Sequence, residues 1–180
     1  MRGERRVTKN MDLKSKIREI PDFPKEGILF YDITTLLKDA AAFRRVIDKI
    51  GSFYEGEGVQ KVIAMESRGF IFGAPVAYRL NAGFVPVRKP GKLPSDVYEA
   101  RYNLEYGTDS LAIHQDAIAP GERVLIVDDL IATGGTVAAT VQLVKKLGGV
   151  IHGIAFLIEL QALQGRNKLD GYNVLSLLSY

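Results

Sequence analysis

Four apolar runs decide what this chain can fold into. "KVIAM" (61–65), "FVPVRK" (84–89), "RVLIVDD" (123–129) and "VIHGIAFLIEL" (150–160) are short and nearly continuous. A strand with one wet face alternates polar and apolar residues, whereas a strand covered on both faces does not alternate. Helical patterns fall between or beside these runs. "DAAAFRRVIDKIGSFYEGEG" opens on Asp39, an N-cap residue type, and keeps Phe43, Val46, Ile47 and Ile50 at helical spacing. "GFIFGAPVAYRLNAG" reads as a helix stopped at Asn81 or Gly83, and "TVAATVQLVKKLGG" as one capped by Gly148 and Gly149. Alternating strands and helices imply βαβ units, hence an α/β fold with a mostly parallel twisted sheet flanked by helices.

The remaining segments are less regular. "MDLKSKIREI" (11–20) spaces Met11, Leu13, Ile17 and Ile20 as a short amphipathic helix ended by Pro21. The next segment is broken by Pro and Gly and becomes strand-like at 28–31. Residues 90–110 are polar and rich in turn formers, the composition of a lid or binding loop, with room for a hairpin. "YNVLSLLSY" (172–180) reads as a last short strand.

The chain has 180 residues, enough for one domain with a real core, assigned to 12–180. Residues 1–11 carry much of the basic excess and read as a disordered, solvated tail rather than a nucleic-acid arm. No apolar run reaches the ~18 residues of a membrane span, and the tail lacks the apolar core of a secretory signal. Cysteine is absent, which fits a reducing compartment and excludes disulfides and thiolate metal sites. The expectation is a soluble cytoplasmic protein with no nucleic-acid or membrane partner.

Ligands of open α/β sheets bind beyond the carboxyl ends of the strands. Three such positions carry chemistry. In "VLIVDDLIATGGT" a buried strand ends in Asp128 and Asp129, and a loop of Ala132, Thr133, Gly134, Gly135 and Thr136 runs into a helix. Helix-terminal N–H groups, glycine backbone and hydroxyls make a cradle for a phosphate monoester. Adjacent carboxylates suit the vicinal hydroxyls of a sugar. In "AMESRGF", Ser67 and Arg68 stand at a strand-to-helix junction, either as a second anion site or as an ordinary helix start. In "VRKPGKLP", Arg88, Lys89 and Lys92 lead into the long polar loop, as ligand cations or as a solvated basic turn. Glu105, in "LEYG", is either a lid carboxylate or a surface residue. The order of a triphosphate-binding Walker loop and the Gly-x-Gly-x-x-Gly of a dinucleotide fold are both absent.

"VLIVDDLIATGGT" resembles the phosphoribosyl pyrophosphate motif of the type I phosphoribosyltransferases. "FPKEGILFYDIT", "ESRGFIFGAPVA", "VRKPGKLP", "YNLEYG" and "LIELQALQGR" are similar, in order and spacing, to adenine phosphoribosyltransferases, and the likeness covers about 12–180. The resemblance implies a small hood from the N-terminal segment, a flexible lid loop, and a homodimer in which some basic residues reach the neighbouring site. It implies a purine-salvage reaction in which adenine and phosphoribosyl pyrophosphate give AMP and pyrophosphate with Mg²⁺, the metal held mainly by substrate and water. By the same resemblance, Asp128 and Asp129 contact the ribose hydroxyls and 132–136 hold the 5′-phosphate. Ser67, Arg68, Arg88, Lys89 and Lys92 take pyrophosphate, with a cis peptide at Glu66–Ser67. Glu105 and Arg68 are catalytic. Leu29, Phe30 and Tyr31 line the adenine pocket, with Phe30 stacking on the ring and Leu160 opposite; some family members carry Arg at the place of Tyr31. The alternatives are a 6-oxopurine transferase and a non-catalytic phosphoribosyl pyrophosphate-binding regulator.

Overall fold

The structure, a computed structural model, describes residues 11–103 and 108–180. The chain divides into two compact units, 1–46 and 47–180.

In the first unit, β1 (Arg18–Ile20) pairs antiparallel with β2 (Phe30–Asp32), and α1 (Thr34–Leu37) follows. The amphipathic helix expected over 11–20 is not there. A single 3₁₀ turn, Lys14–Lys16, gives way to β1. Leu13 and Ile17 are buried as their spacing requires, but the Asp12 carboxylate accepts the Lys14 N–H at 3.0 Å and commits the backbone to a turn. β2 begins two residues later than expected. Ile28 spends its backbone groups locally, donating to Lys25 O and accepting from Phe23 N.

Asp32 ties this unit together. Its carboxylate accepts from Thr34 N at 2.8 Å and from Arg18 Nε and Nη2 at 3.0 and 2.6 Å. Asp39 caps α2 (Ala40–Tyr54) through the amides of Ala41 and Ala42, both at 3.1 Å.

The second unit is built on five parallel strands in the order β4-β3-β7-β8-β9. They are β3 (Lys61–Met65), β4 (Gly83–Val87), β7 (Arg123–Ile131), β8 (Val150–Glu159) and β9 (Val174–Ser179). α3 (Arg68–Arg79) connects β3 to β4, and α4 (Gly135–Lys146) connects β7 to β8. The apolar runs explain the sheet. Val62, Ile63, Leu125, Ile126, Ile154 and Phe156 are all buried, and helices supply the covering layers. The polar stretch 90–110 does contain a hairpin, β5 (Val97–Asn103) with β6 (Thr108–His114). Ala100, Leu111 and Ile113 on the hairpin join the core, and Lys146 of α4 lies 4.0 Å from the Tyr98 ring centre.

The hydroxyl and N–H of Thr34, then Arg18, hold the Asp32 carboxyl at about 2, below its ordinary 3.8. A depressed carboxyl stabilises the fold above the ordinary value and loses that contribution as pH falls through the shifted one. Asp32→Asn is expected to cost about 1–3 kcal/mol at neutral pH. Urea unfolding at several pH values should show the difference closing as pH falls toward 2.

Candidate functional site

The chain leaves β3 toward one edge of the sheet and β7 toward the other. Because β3 and β7 are hydrogen-bonded neighbours, with Lys61 opposite Val124 and Ala64 opposite Val127, their carboxyl ends flank a switch point. Such a crevice is where this class of sheet binds ligands. A cavity of about 400 Å³ lies there, lined by Glu66, Ser67, Arg68, Asp128, Asp129 and the loop 130–137, with Phe156. Two helices, α3 and α4, begin at this cavity, one after each neighbouring strand. Both bring the positive end of the helix dipole to it.

The phosphate-cradle residues of the sequence come together as one loop. Gly134 caps α4 at φ 76°, a left-handed conformation that a side chain would strain. The α4 hydrogen-bond ladder opens with Ala138 N donating to Gly134 O at 3.0 Å. Helix geometry leaves the amides ahead of it without an intrahelical acceptor, beside the cavity that Gly135, Thr136 and Val137 line.

Asp128 and Asp129 both line the cavity. Asp128 accepts its neighbour's N–H at 2.9 Å, and Arg68 Nε stands 2.9 Å from Asp129 Oδ2. That last contact is a charge contact without hydrogen-bond alignment, since Asp129 Oδ2 is buried with no hydrogen-bond partner. Gly69 lets α3 approach, because a Cβ there would come within 2.6 Å of Asp128 Oδ1. Desolvation raises both carboxyls. Its neighbour Asp129 raises Asp128 further, whereas Arg68 pulls Asp129 back down. Asp128 is half-buried and lines the cavity.

The peptide bond Glu66–Ser67 is cis. Glu66 is the residue that sequence reasoning missed. Its carboxylate accepts Lys89 N at 2.5 Å and contacts Arg88 Nη2 at 3.2 Å and Lys92 Nζ at 3.1 Å. Arg88, Lys89 and Lys92 do not line the cavity; they contact Glu66, which does. Despite desolvation, these contacts leave the Glu66 carboxyl below its ordinary value. The Lys89 ammonium is committed to Asp109 and Tyr102 of the hairpin. A carboxylate beside a run of Arg and Lys was the available signal, since "ESRGF" and "VRKPGK" leave adjacent parallel strands.

Leu160 is not in the cavity lining. It follows β8, and its N–H donates to Ile131 O at 3.0 Å. In the first unit, Leu29 is exposed, Phe30 packs edge-on to Phe23 at 5.1 Å, and Tyr31 pairs with Glu19 across β1 and β2. Glu105 lies outside the described residues.

Comparison with known proteins adds the following. Residues 32–177 match the family model of the phosphoribosyl transferase domain. The chain is 58% identical over 168 residues to an adenine phosphoribosyltransferase of Acidobacterium capsulatum, covering 93% of each. A crystal structure of adenine phosphoribosyltransferase from Thermoanaerobacter pseudethanolicus superposes with a TM-score of 0.90 at 58% identity, over 93% of this chain and 98% of that one. That of the Saccharomyces cerevisiae enzyme, complexed with an imino-altritol bisphosphate and adenine, gives 0.88 at 41% identity, over 92% and 96%.

Glu66 already pairs with Arg88 and Lys92, two of the cations that the sequence assigns to pyrophosphate, so an incoming anion competes with it. Glu66→Gln is expected to tighten binding of inorganic pyrophosphate roughly three- to tenfold, the scale of one part-exposed ion pair. Calorimetry checks this. Weaker binding by the variant would make Glu66 an organiser of the cations rather than a competitor.

Proposed function

The chain belongs to the phosphoribosyltransferase family, among its adenine phosphoribosyltransferases, and from that premise we propose how its residues make AMP and pyrophosphate from adenine and phosphoribosyl pyrophosphate in purine salvage. One observation carries the reading: an acid pair lies between two helix N-termini at the β3/β7 switch point.

The 5′-phosphate binds 132–136, where helix amides and hydroxyls converge. The ribose 2′- and 3′-hydroxyls donate to Asp128 and Asp129. As the bond from C1 to pyrophosphate breaks, positive charge builds on the ribose ring, and these carboxylates stabilise it from a desolvated position. Ser67 and Arg68, with Arg88, Lys89 and Lys92, receive the departing anion. For Arg68 this means turning from Asp129 toward the leaving group, which frees Asp129 for the sugar as the cation meets the new charge. Leu29, Phe30, Tyr31 and Leu160 hold adenine, whose reacting nitrogen bonds to C1 as pyrophosphate leaves, and Glu105 takes or orients the proton that this nitrogen loses.

Mg²⁺ fits this site in one manner. Among the described residues no group of three or more His, Cys, Asp or Glu is arranged to hold a metal ion. The pair Asp128 and Asp129 offers carboxylate oxygens, which suits an ion carried mainly by substrate phosphates and water. Bound so, it would supply charge neutralisation to the departing pyrophosphate. A homodimer is part of the proposal, supported by the exposed apolar side chains of Ile71 and Tyr78 on α3 and Phe84 on β4. A cytoplasmic setting is supported by the absence of cysteine.

The deciding assay compares adenine with hypoxanthine, guanine and xanthine, each with phosphoribosyl pyrophosphate and Mg²⁺. AMP alone is expected; nucleotide from a 6-oxopurine would shift the substrate class. Glu105→Leu is expected to lower turnover far more than it weakens phosphoribosyl pyrophosphate binding, and equal turnover would remove Glu105 from the mechanism. The raised acid pair gives a further expectation. Hydroxyls donating to carboxylates favour the ionised form, so ribose 5-phosphate should release protons on binding, at pH values above the ordinary aspartate range. Calorimetry in buffers of different ionisation enthalpy measures that release, and proton uptake would contradict the assignment.

A further inference from the structure

The cradle loop is braced from outside by backbone, not side chains. A Cβ on Gly134 would overlap Gly165 O and stand 3.1 Å from its carbonyl carbon. A Cβ on Gly165 would overlap Ala132 O and stand 2.8 Å from Gly134 N. The loop 132–134 and Gly165 therefore lie main chain against main chain, where neither can yield by a rotamer change. Gly165 opens a 3₁₀ turn, Gly165–Leu169, directly after Gln164 in a left-handed conformation.

The residue after Gly165 is anchored to the sheet. Arg166 grips Glu159 at the end of β8 with a fork, Nε to Oε1 at 2.8 Å and Nη2 to Oε2 at 2.5 Å. The same guanidinium donates to Val174 O and Ser176 Oγ of β9, each at 3.1 Å. The Glu159 side chain is only 9% exposed, and Arg166 holds its carboxyl below the ordinary value. At the other end of the segment, Leu160 N is fixed to Ile131 O. The stretch 160–165 is thus pinned at both ends and pressed on the cradle, and its first residue is the proposed adenine wall. A lysine in place of Arg166 would keep the charge but lose the fork.

We infer that Arg166, through its forked pair with Glu159, is a positioning residue that sets the backbone of the 5′-phosphate cradle. Arg166 does not line the cavity and acts only through Gly165. The inference rests on the reading of 132–136 as the phosphate site. It also joins the sugar-phosphate and adenine sides, because the segment that braces the cradle carries Leu160.

The test uses the full chain with four variants. Arg166→Met is expected to raise the KM for phosphoribosyl pyrophosphate about tenfold or more, with kcat changed far less, since a small displacement of a binding loop is enough. Ribose 5-phosphate affinity, measured by calorimetry, should fall in parallel. Arg166→Lys should recover part of the loss. Gly165→Ala, which leaves the fork intact, should reproduce it. Arg79→Met removes an arginine paired with Asp48 and Glu55 and controls for lost stability alone: its Tm should fall with KM unchanged. An Arg166→Met protein with lowered Tm but wild-type KM and ribose 5-phosphate affinity would overturn the inference and leave a plain strand-end staple. Failure of the wild type to bind ribose 5-phosphate would overturn the functional reading, and this inference with it.

Discussion

The site depends on the parallel pairing of β3 with β7. Once those strands are neighbours and the chain turns away from each in opposite directions, two helix N-termini must open onto one crevice. The carboxylates of Asp128 and Asp129 are then tolerable. Two adjacent desolvated acids repel by several kcal/mol at the effective dielectric of a protein interior. Arg68 at 2.9 Å and the two helix termini offset that repulsion. The fold supplies the positive field, and the acid pair uses it.

The cations of the site are balanced by carboxylates of this chain. Arg68 contacts Asp129, Arg88 and Lys92 contact Glu66, and Lys89 contacts Asp109. A ligand anion therefore exchanges partners instead of meeting bare charge. A monovalent anion gains little from such an exchange, because it replaces one carboxylate with another single charge. A polyanion with several oxygens on a short spacing displaces several carboxylate contacts at once, and each freed carboxylate is available to a cationic or hydroxyl partner. On the proposed reading, a pyrophosphate ester is therefore preferred over simple anions without a dedicated filter.

The strands were legible because burial leaves no choice of residue. "KVIAM" coincides with β3, whereas β7 runs two residues past the Asp128–Asp129 pair, because Leu130 and Ile131 still pair with Ile158 and Glu159 of β8. The segment 11–20 misled, because Leu13 and Ile17, four residues apart, are buried equally well by a 3₁₀ turn running into a strand. Periodicity over so few residues does not separate the two, and the deciding contact is Arg18 with Asp32, fourteen residues away. The roles of Glu66 and Gly165 were hidden for a related reason. Each depends on residues brought close only by the sheet: the donors after β4 for Glu66, and the cradle after β7 for Gly165.

The two halves of the proposed chemistry are held by different means. The sugar-phosphate half rests on buried strands, helix termini and backbone contacts between 132–134 and Gly165, none of which can shift without disturbing the core. The leaving-group half rests on the hairpin. β5 and β6 are anchored at their base by Ala100, Leu111 and Ile113, and joined to the end of β4 by the paired hydrogen bonds of Arg88 and Ala112 at 3.0 and 2.7 Å. Beyond that anchor the Lys89 ammonium links the basic turn to Asp109 and the Tyr102 hydroxyl, polar contacts that a competing anion can exchange. A transferase that must hold one phosphate throughout the reaction and let another depart needs this asymmetry. In the proposed chemistry, backbone geometry fixes the retained group, and exchangeable charge pairs receive and then release the one that leaves.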